Sequence, residues 1–445
     1  MNKTLTTVIG GSWTDRLRGW LADAPGPVFA LYGGLMAFGA YFAMYAFRKP
    51  FTVASFTDAA PVAMVSFKVA LIIAQVIGYA LSKIAGVKLI SETPPQRRAL
   101  SIIGLVAAAE LALVLFAVLP APLNVACLFA NGLALGLIWG LVVGFLEGRR
   151  LTEPLGAILC VSFIVSSGAV KSAGESIMLQ GWANEYWMPA LTGLLFSPLL
   201  LICVFGLALL PPPSAEDERL RTPRAPMNAA ARRRMFGAFA PGLVALVLVY
   251  VGLTALRDFR DNFAVEIWTG LGFKNDAEIF TLSELPVGAV VLACLTVLMF
   301  IRDNRWAFLA NLGLVVAGLA LTGLSSLAFQ QHLIGPVAWM VALGAGLYLA
   351  YTPFNALLFD RFIAASGRVG TAGFLIYVAD ASGYVSSVGL LLFRNLGGMQ
   401  LSWVQFLVAV SFLVSVLGLV LTGAAMLYFW RRLDTVKVHA APVLA

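Results

Sequence analysis

Charge is what this chain has least of. Only 12% of its 445 residues are Asp, Glu, Lys or Arg, about half the share of a soluble domain. That excludes a string of soluble domains and makes lipid the solvent for most of the chain, as does a mean hydropathy of +0.90. Histidine is nearly missing, with only His332 and His439, so a haem or histidine-metal centre has too few ligands. The four cysteines, Cys127, Cys160, Cys203 and Cys294, each sit inside an apolar run without CxxC spacing, which argues against a disulfide scaffold and a zinc site. No HxxxxD-like pair and no GxxxxGK[ST] loop is found, so neither an interfacial transferase centre nor an ATP cradle is expected. Neither enzymatic activity nor a cofactor is predicted.

What is present is a series of apolar runs, each long enough to cross a bilayer, which takes roughly 20 residues. Charged breaks divide them into twelve spans: 28–50, 61–83, 98–119, 122–146, 154–178 and 188–210, then 236–259, 279–301, 305–329, 334–357, 368–393 and 401–430. Residues 1–27 form an N-terminal segment, 211–235 a charged linker and 432–445 a tail. The expected fold is therefore all-α and polytopic, with six-helix halves at 28–210 and 236–431. Residues 1–26 have no apolar core of a cleavable signal. Trp13, Leu17, Trp20 and Leu21 share one helical face, which fits either a surface helix or an unstructured tail.

Basic residues set the orientation. Twenty-two of the 30 lie in loops on one side or in the termini, which places both termini and the linker in the cytoplasm of a cell with a plasma (inner) membrane, taken as bacterial. The net charge of +8 follows from this bias, so no nucleic-acid partner is expected. The eight that the bias leaves unexplained are Arg48, Lys49, Lys68, Lys171, Arg257, Arg260, Lys274 and Arg394. An offset of 209 residues superposes Gly33, Tyr41, Ala46 and Arg48 on Gly242, Tyr250, Ala255 and Arg257, as expected of two parallel repeats.

Two six-span halves joined by a charged cytoplasmic loop is the plan of the major facilitator superfamily. Within it, Tyr45-Ala46-Phe47-Arg48-Lys49-Pro50-Phe51 resembles the first span of the organophosphate:phosphate antiporters. Gly78-Tyr79-Ala80-Leu81-Ser82-Lys83 with Gly86, and Asn131-Gly132 followed by Gly136-Leu137-Ile138-Trp139-Gly140, resemble that branch's second and fourth spans. Gln96-Arg97-Arg98, with Glu92, resembles the superfamily's basic motif between spans two and three. The resemblance implies a small anionic, phosphate-bearing solute held by Arg48 and Arg257. One departure stands out: the branch's fifth-span histidine has no counterpart, and Lys171 and Glu175 occupy that span instead.

The residues themselves point the same way. Arg forks onto phosphate or carboxylate and Lys acts as a point charge, so Arg48, Lys49, Lys68, Arg257 and Arg260 are candidate anion ligands. The alternative for Arg48 and Lys49 is the rim of span one, with both side chains reaching the headgroups. Tyr351 and Asn355, beside Pro353, are candidate cavity-lining groups. Lys171 with Glu175 and Arg257 with Asp261 are i, i+4 pairs; Lys171, these acids and Asp258 are candidate gating or orienting groups. Lys68 has no acid at i±3 or i±4. Asp380 and Glu110, central in spans eleven and three, could carry a coupling proton. The expected partners are a small-molecule anion and the lipid bilayer, with protons or phosphate as coupling solute, acting on a monomer. Competing readings are proton-coupled transport of a sugar, carboxylate or drug, and a membrane enzyme or non-transporting sensor.

Overall fold

The computed structural model describes residues 11–147, 149, 151–214, 217, 229–367, 372–397 and 401–439. Lys3, Arg150, Arg219, Arg221, Arg224 and Arg368, six of the loop residues used for orientation, lie outside them.

The described residues form helices throughout. They are α1 (Gly11–Asp23), α2 (Gly26–Met44), α3 (Phe67–Glu92), α4 (Pro95–Val118), α5 (Val125–Leu135), α6 (Ile138–Leu146), α7 (Thr152–Leu179) and α8 (Met188–Ala208). There follow α9 (Ala229–Ala238), α10 (Ala240–Asn262), α11 (Ala264–Gly270), α12 (Glu278–Met299), α13 (Asn304–Gln330), α14 (Pro336–Ala356), α15 (Leu358–Ser366), α16 (Ala372–Leu396) and α17 (Trp403–His439). Eleven segments among the described residues are long and apolar enough to cross a membrane. Helix α16, at the place of the eleventh expected span, adds 25 residues. The protein is an integral membrane protein.

Several helices begin at a proline, where its missing N–H costs least, although Pro198, Pro286 and Pro353 lie inside helices. Proline opens α2, α4, α8, α10 and α14 within their first two positions, where the backbone donor has no intrahelical acceptor anyway. Asp303 caps α13 by accepting a hydrogen bond from the Trp306 amide at 2.9 Å, as short acids do at N-caps.

Several expected boundaries move: the last helix, for one, runs on to His439, past the expected end at 430. Span two begins at Phe67 rather than 61, because residues 62–65 close a tight turn. Val62 and Val65 exchange backbone hydrogen bonds of 3.0 and 3.1 Å, and Ala63 and Met64 take positive φ. Span four is two helices, α5 and α6, separated at Gly136-Leu137. The α-helix of span one stops at Met44 and continues as two short 3-10 turns, Tyr45–Phe47 and Pro50–Val53, with Arg48 and Lys49 between them. Pro50 has no N–H for an α-helical bond, which fits a change of pitch here.

The chain divides into two compact units, Met1–Arg221 and Thr222–Ala445. In the first, α2 packs on α7 and α8, and α3 packs along α5. The last contact is backbone against backbone: a Cβ on Gly132 would overlap the Gln75 carbonyl, and one on Gly78 the Phe129 carbonyl. In the second unit α13 packs on α14 and α17, while α10 packs on α16 and α17. Here Gly318 and Gly346 bring two backbones together, each lying where a Cβ would meet the other's carbonyl. Small residues at such crossings let apolar helices associate in lipid, where hydrophobic burial gives no drive.

The Gly132 contact is testable. Gly132→Val should destabilise the folded protein in detergent by about 1–3 kcal/mol, the usual range for overpacking. Thermal unfolding measured against wild type reads this out, and an unchanged Tm would show that α3 and α5 can separate at little cost.

Candidate functional site

Both units bury cations in apolar surroundings, but each meets them differently. In the first unit Arg48, Lys49, Lys68 and Lys171 are 6%, 4%, 5% and 3% exposed, as buried as the leucines around them. A cation in hydrocarbon costs several kcal/mol unless the protein or a ligand compensates it.

Arg48 follows the first 3-10 turn, and its guanidinium carbon lies 3.9 Å from the centre of the Tyr79 ring and 5.7 Å from that of Tyr45. Attraction to the ring faces offsets part of the lost hydration. The backbone around it is held by side chains from two other helices. Gln75 Nε2 donates to the Arg48 carbonyl at 3.0 Å and to Asn131 Oδ1 at 2.8 Å. Asn131 Nδ2 in turn donates to the carbonyls of Phe47 at 2.9 Å and Ala109 at 3.1 Å. The break in span one frees carbonyls from helical bonding, and this amide relay takes up two of them. Arg48 is therefore buried at a broken helix end and not inside a continuous helix.

Farther along, Glu185 accepts from the amides of Ser55 at 3.2 Å and Phe56 at 2.6 Å. Tyr186 donates to both carboxylate oxygens of Asp58 at 3.2 Å. Burial and the Asp58 bond push the Tyr186 phenol above its usual range, so it stays protonated and keeps its bond to Asp58. Lys68 stands in the first turn of α3, not a third of the way along it as expected. The acid not found at i±3 or i±4 comes from another helix: the Lys68 charge acts on Glu175, joining Lys68 to the Lys171–Glu175 turn of α7. Glu110 faces elsewhere, lining a separate cavity of about 560 Å³ with Trp182, Asn184, Trp187 and Leu194.

The second unit compensates its arginines with carboxylates. Arg257 pairs with Asp258 at 2.7 Å rather than by the expected i, i+4 bridge to Asp261. The reason is aromatic: the guanidinium carbon lies 4.3 Å from the Tyr351 ring centre, which turns the side chain towards Asp258. Ser387 holds that carboxylate's other oxygen through a 2.7 Å hydrogen bond. Arg260 pairs with Glu284 at 2.7 Å and donates to the Met340 carbonyl at 3.1 Å; Asp261 adds its field to Arg260. Glu284 was not among the expected site residues, although an acid inside the apolar run 279–301 was a signal for it.

Beside Arg257 lies a polar knot. The Tyr250 hydroxyl meets Asp380 Oδ1 in a short hydrogen bond, Tyr351 Oη at 2.9 Å and the Asn355 amide at 3.3–3.4 Å. The Tyr250 and Tyr351 rings stack with centroids 5.1 Å apart. Three candidates from the sequence, Tyr351, Asn355 and Asp380, thus share one partner, Tyr250. No group of three or more His, Cys, Asp or Glu able to hold a metal occurs among the described residues.

A family profile described as a family of unknown function, DUF5690, matches residues 50–432. The chain belongs to that family. No curated protein matches the chain. Among solved structures, it resembles the crystal structure of a D-xylose-proton symporter at 14% identity and a TM-score of 0.58, covering 91% of this chain and 97% of the other. It also resembles a bacterial homologue of the human drug peptide transporters at 13% identity and a TM-score of 0.58, covering 91% and 98%. The fold is that of the major facilitator transporters.

The Arg260–Glu284 pair makes a sharp prediction for the DUF5690 chain. Breaking a buried pair strands a charge and costs about 3–5 kcal/mol, whereas replacing both partners with apolar groups is often neutral. Arg260→Met alone should lower the Tm strongly, and Arg260→Met with Glu284→Leu should restore most of it. A double variant no better than the single one would mean that the pair is not the unit of compensation.

Proposed function

We propose that this protein is a secondary active transporter of a small anionic solute, phosphate-bearing by preference, working by alternating access, with Arg48 and Arg257 as its anion ligands. The arrangement around Arg48 carries the reading. A guanidinium stacked on aromatic rings is held by its face, while its planar edge is the part that forks onto phosphate or carboxylate. Lys49, buried next to it, adds a point charge. Arg257 is stacked in the same way on Tyr351, but an anion there competes with Asp258. The resemblance of Tyr45–Phe51 to the organophosphate:phosphate antiporters supports a phosphate-bearing solute, and the fold supports transport as the activity. Exchange is the favoured mode, since binding an anion lowers the cost of enclosing two cations.

A second reading is proton coupling, favoured by the Tyr250–Asp380 hydrogen bond and by the proton symporter among the structures of like fold. Asp380 would then take up the proton, with Tyr250 as its hydrogen-bond partner in either state.

Counterflow separates these. Proteoliposomes loaded with labelled phosphate should release it faster when phosphate or a phosphate ester is added outside, at all pH values tested. Arg48→Gln should raise the half-saturating anion concentration about ten- to hundredfold, the equivalent of losing charge-assisted hydrogen bonds of about 1.5–3 kcal/mol. Release indifferent to external anion overturns exchange. Uptake driven by a pH gradient, and lost in Asp380→Asn, would instead establish the proton-coupled reading.

A further inference from the structure

The first unit contains a second cationic site, separate from Arg48. A cavity of about 540 Å³ is lined by Arg18, Arg98 and Arg149, together with Glu147 and the run Pro211–Pro213. Its size falls in the range of small-molecule pockets, about 300–1,000 Å³. The three arginines come from α1, from the start of α4 and from the loop after α6, far apart in sequence but brought to one place.

Each guanidinium is fixed by backbone carbonyls at a helix end. Arg18 Nη2 donates to the carbonyl of Ala208, the last residue of α8, at 3.1 Å. Arg98 Nη1 donates to the Gly144 carbonyl in the last turn of α6. Arg149 donates to the carbonyls of Phe145 at 3.4 Å and Pro211 at 2.5 Å, and lies 4.8 Å from the centre of the Phe29 ring. Capping helix C-termini is one use for these residues, but it does not account for a cavity. Arg98 Nε is buried and has no hydrogen-bond partner among the described residues.

The acids facing the cluster are Glu147, whose charge acts on Arg98, and Asp217, whose charge acts on Arg149. Among the described residues, three cations against two carboxylates leave the site positive. Burial pulls the Arg149 guanidinium below its usual range, against the charge of Asp217, so this site gains from a further anion.

We propose that the cavity framed by Arg18, Arg98 and Arg149 binds a phosphate group, presented by an anionic phospholipid headgroup or by a free phosphate. Helix α1 favours the lipid as the source. Thr14 and Leu21 are buried and Trp13 packs against Phe205, while Trp20 is 55% exposed, so one face packs on the protein and the Trp20 indole suits the interfacial layer that Trp prefers. Residues 11–23 thus form a helix rather than an unstructured tail, packed through Leu21 and carrying Arg18 to the cavity.

The test uses the full chain in detergent, with thermal shift read against inorganic phosphate, short-chain phosphatidylglycerol and short-chain phosphatidylcholine. Phosphatidylglycerol should raise the Tm, and Arg98→Gln should weaken its apparent affinity about tenfold through the loss of a charge-assisted bond. Arg18→Gln, on a surface helix, is the companion variant should Arg98→Gln fail to fold, and should weaken the response in the same direction. Arg48→Gln should leave the phosphatidylglycerol response intact, which separates this site from the proposed transport site. A response to inorganic phosphate that survives Arg48→Gln and falls in Arg18→Gln would identify free phosphate as the source. A phosphatidylglycerol shift matched by phosphatidylcholine, or unchanged in the Arg18 and Arg98 variants, overturns the proposal.

Discussion

Compensation of buried guanidinium charge is the constraint around which both units are arranged. In a chain with so few charges, each cation inside the helices needs a partner built for it. The partner at Arg48 is aromatic, Tyr79 and Tyr45. Those at Arg257 and Arg260 are carboxylates, Asp258 and Glu284. The partners then need supports of their own: Ser387 for Asp258, and the Gln75–Asn131 relay for the backbone that carries Arg48. Even the close backbone crossing of α3 and α5 follows from this, because Gln75 and Asn131 can meet only where Gly78 and Gly132 let the two helices touch.

Much of the fold was legible because it depends on local composition. Apolar runs give the spans, and prolines and loop charges give their ends. What failed was local geometry inside a span. Residues 61–66 read as apolar, yet they form a turn, since positive φ at Ala63 and Met64 leaves no trace in hydropathy. The break after Met44 was equally hidden, although Pro50 sits where it would end an α-helical ladder. Nothing in an apolar count distinguishes two short 3-10 turns from one more turn of helix.

The site residues divide along the same line. Arg48, Lys68, Arg257, Arg260 and Asp380 stood out because an ionisable group in an apolar run is conspicuous. Which partner each one meets did not, since several of these pairings join different helices. Glu175 meets Lys68 from over a hundred positions away, and Glu284 meets Arg260 from another helix. The sequence rule that pairs residues at i, i+4 supplied Asp261 for Arg257, and the aromatic ring of Tyr351 decided otherwise. Tyr250 was visible only as a match in the repeat offset, yet it is the hub through which Tyr351, Asn355 and Asp380 are connected.

The difference between the two compensation modes bears on how an anion would be handled. A carboxylate neutralises its arginine fully, so an incoming anion must displace it or share the cation, and the displaced acid then needs its own stabilisation. Ser387 contributes to that for Asp258, donating to one carboxylate oxygen while the other meets Arg257. An aromatic ring offsets only part of the charge, about 0.5–2 kcal/mol, against several for burial. Discrimination at Arg257 would consequently rest on Asp258, since only an anion that interacts with Arg257 better than Asp258 does can gain that contact.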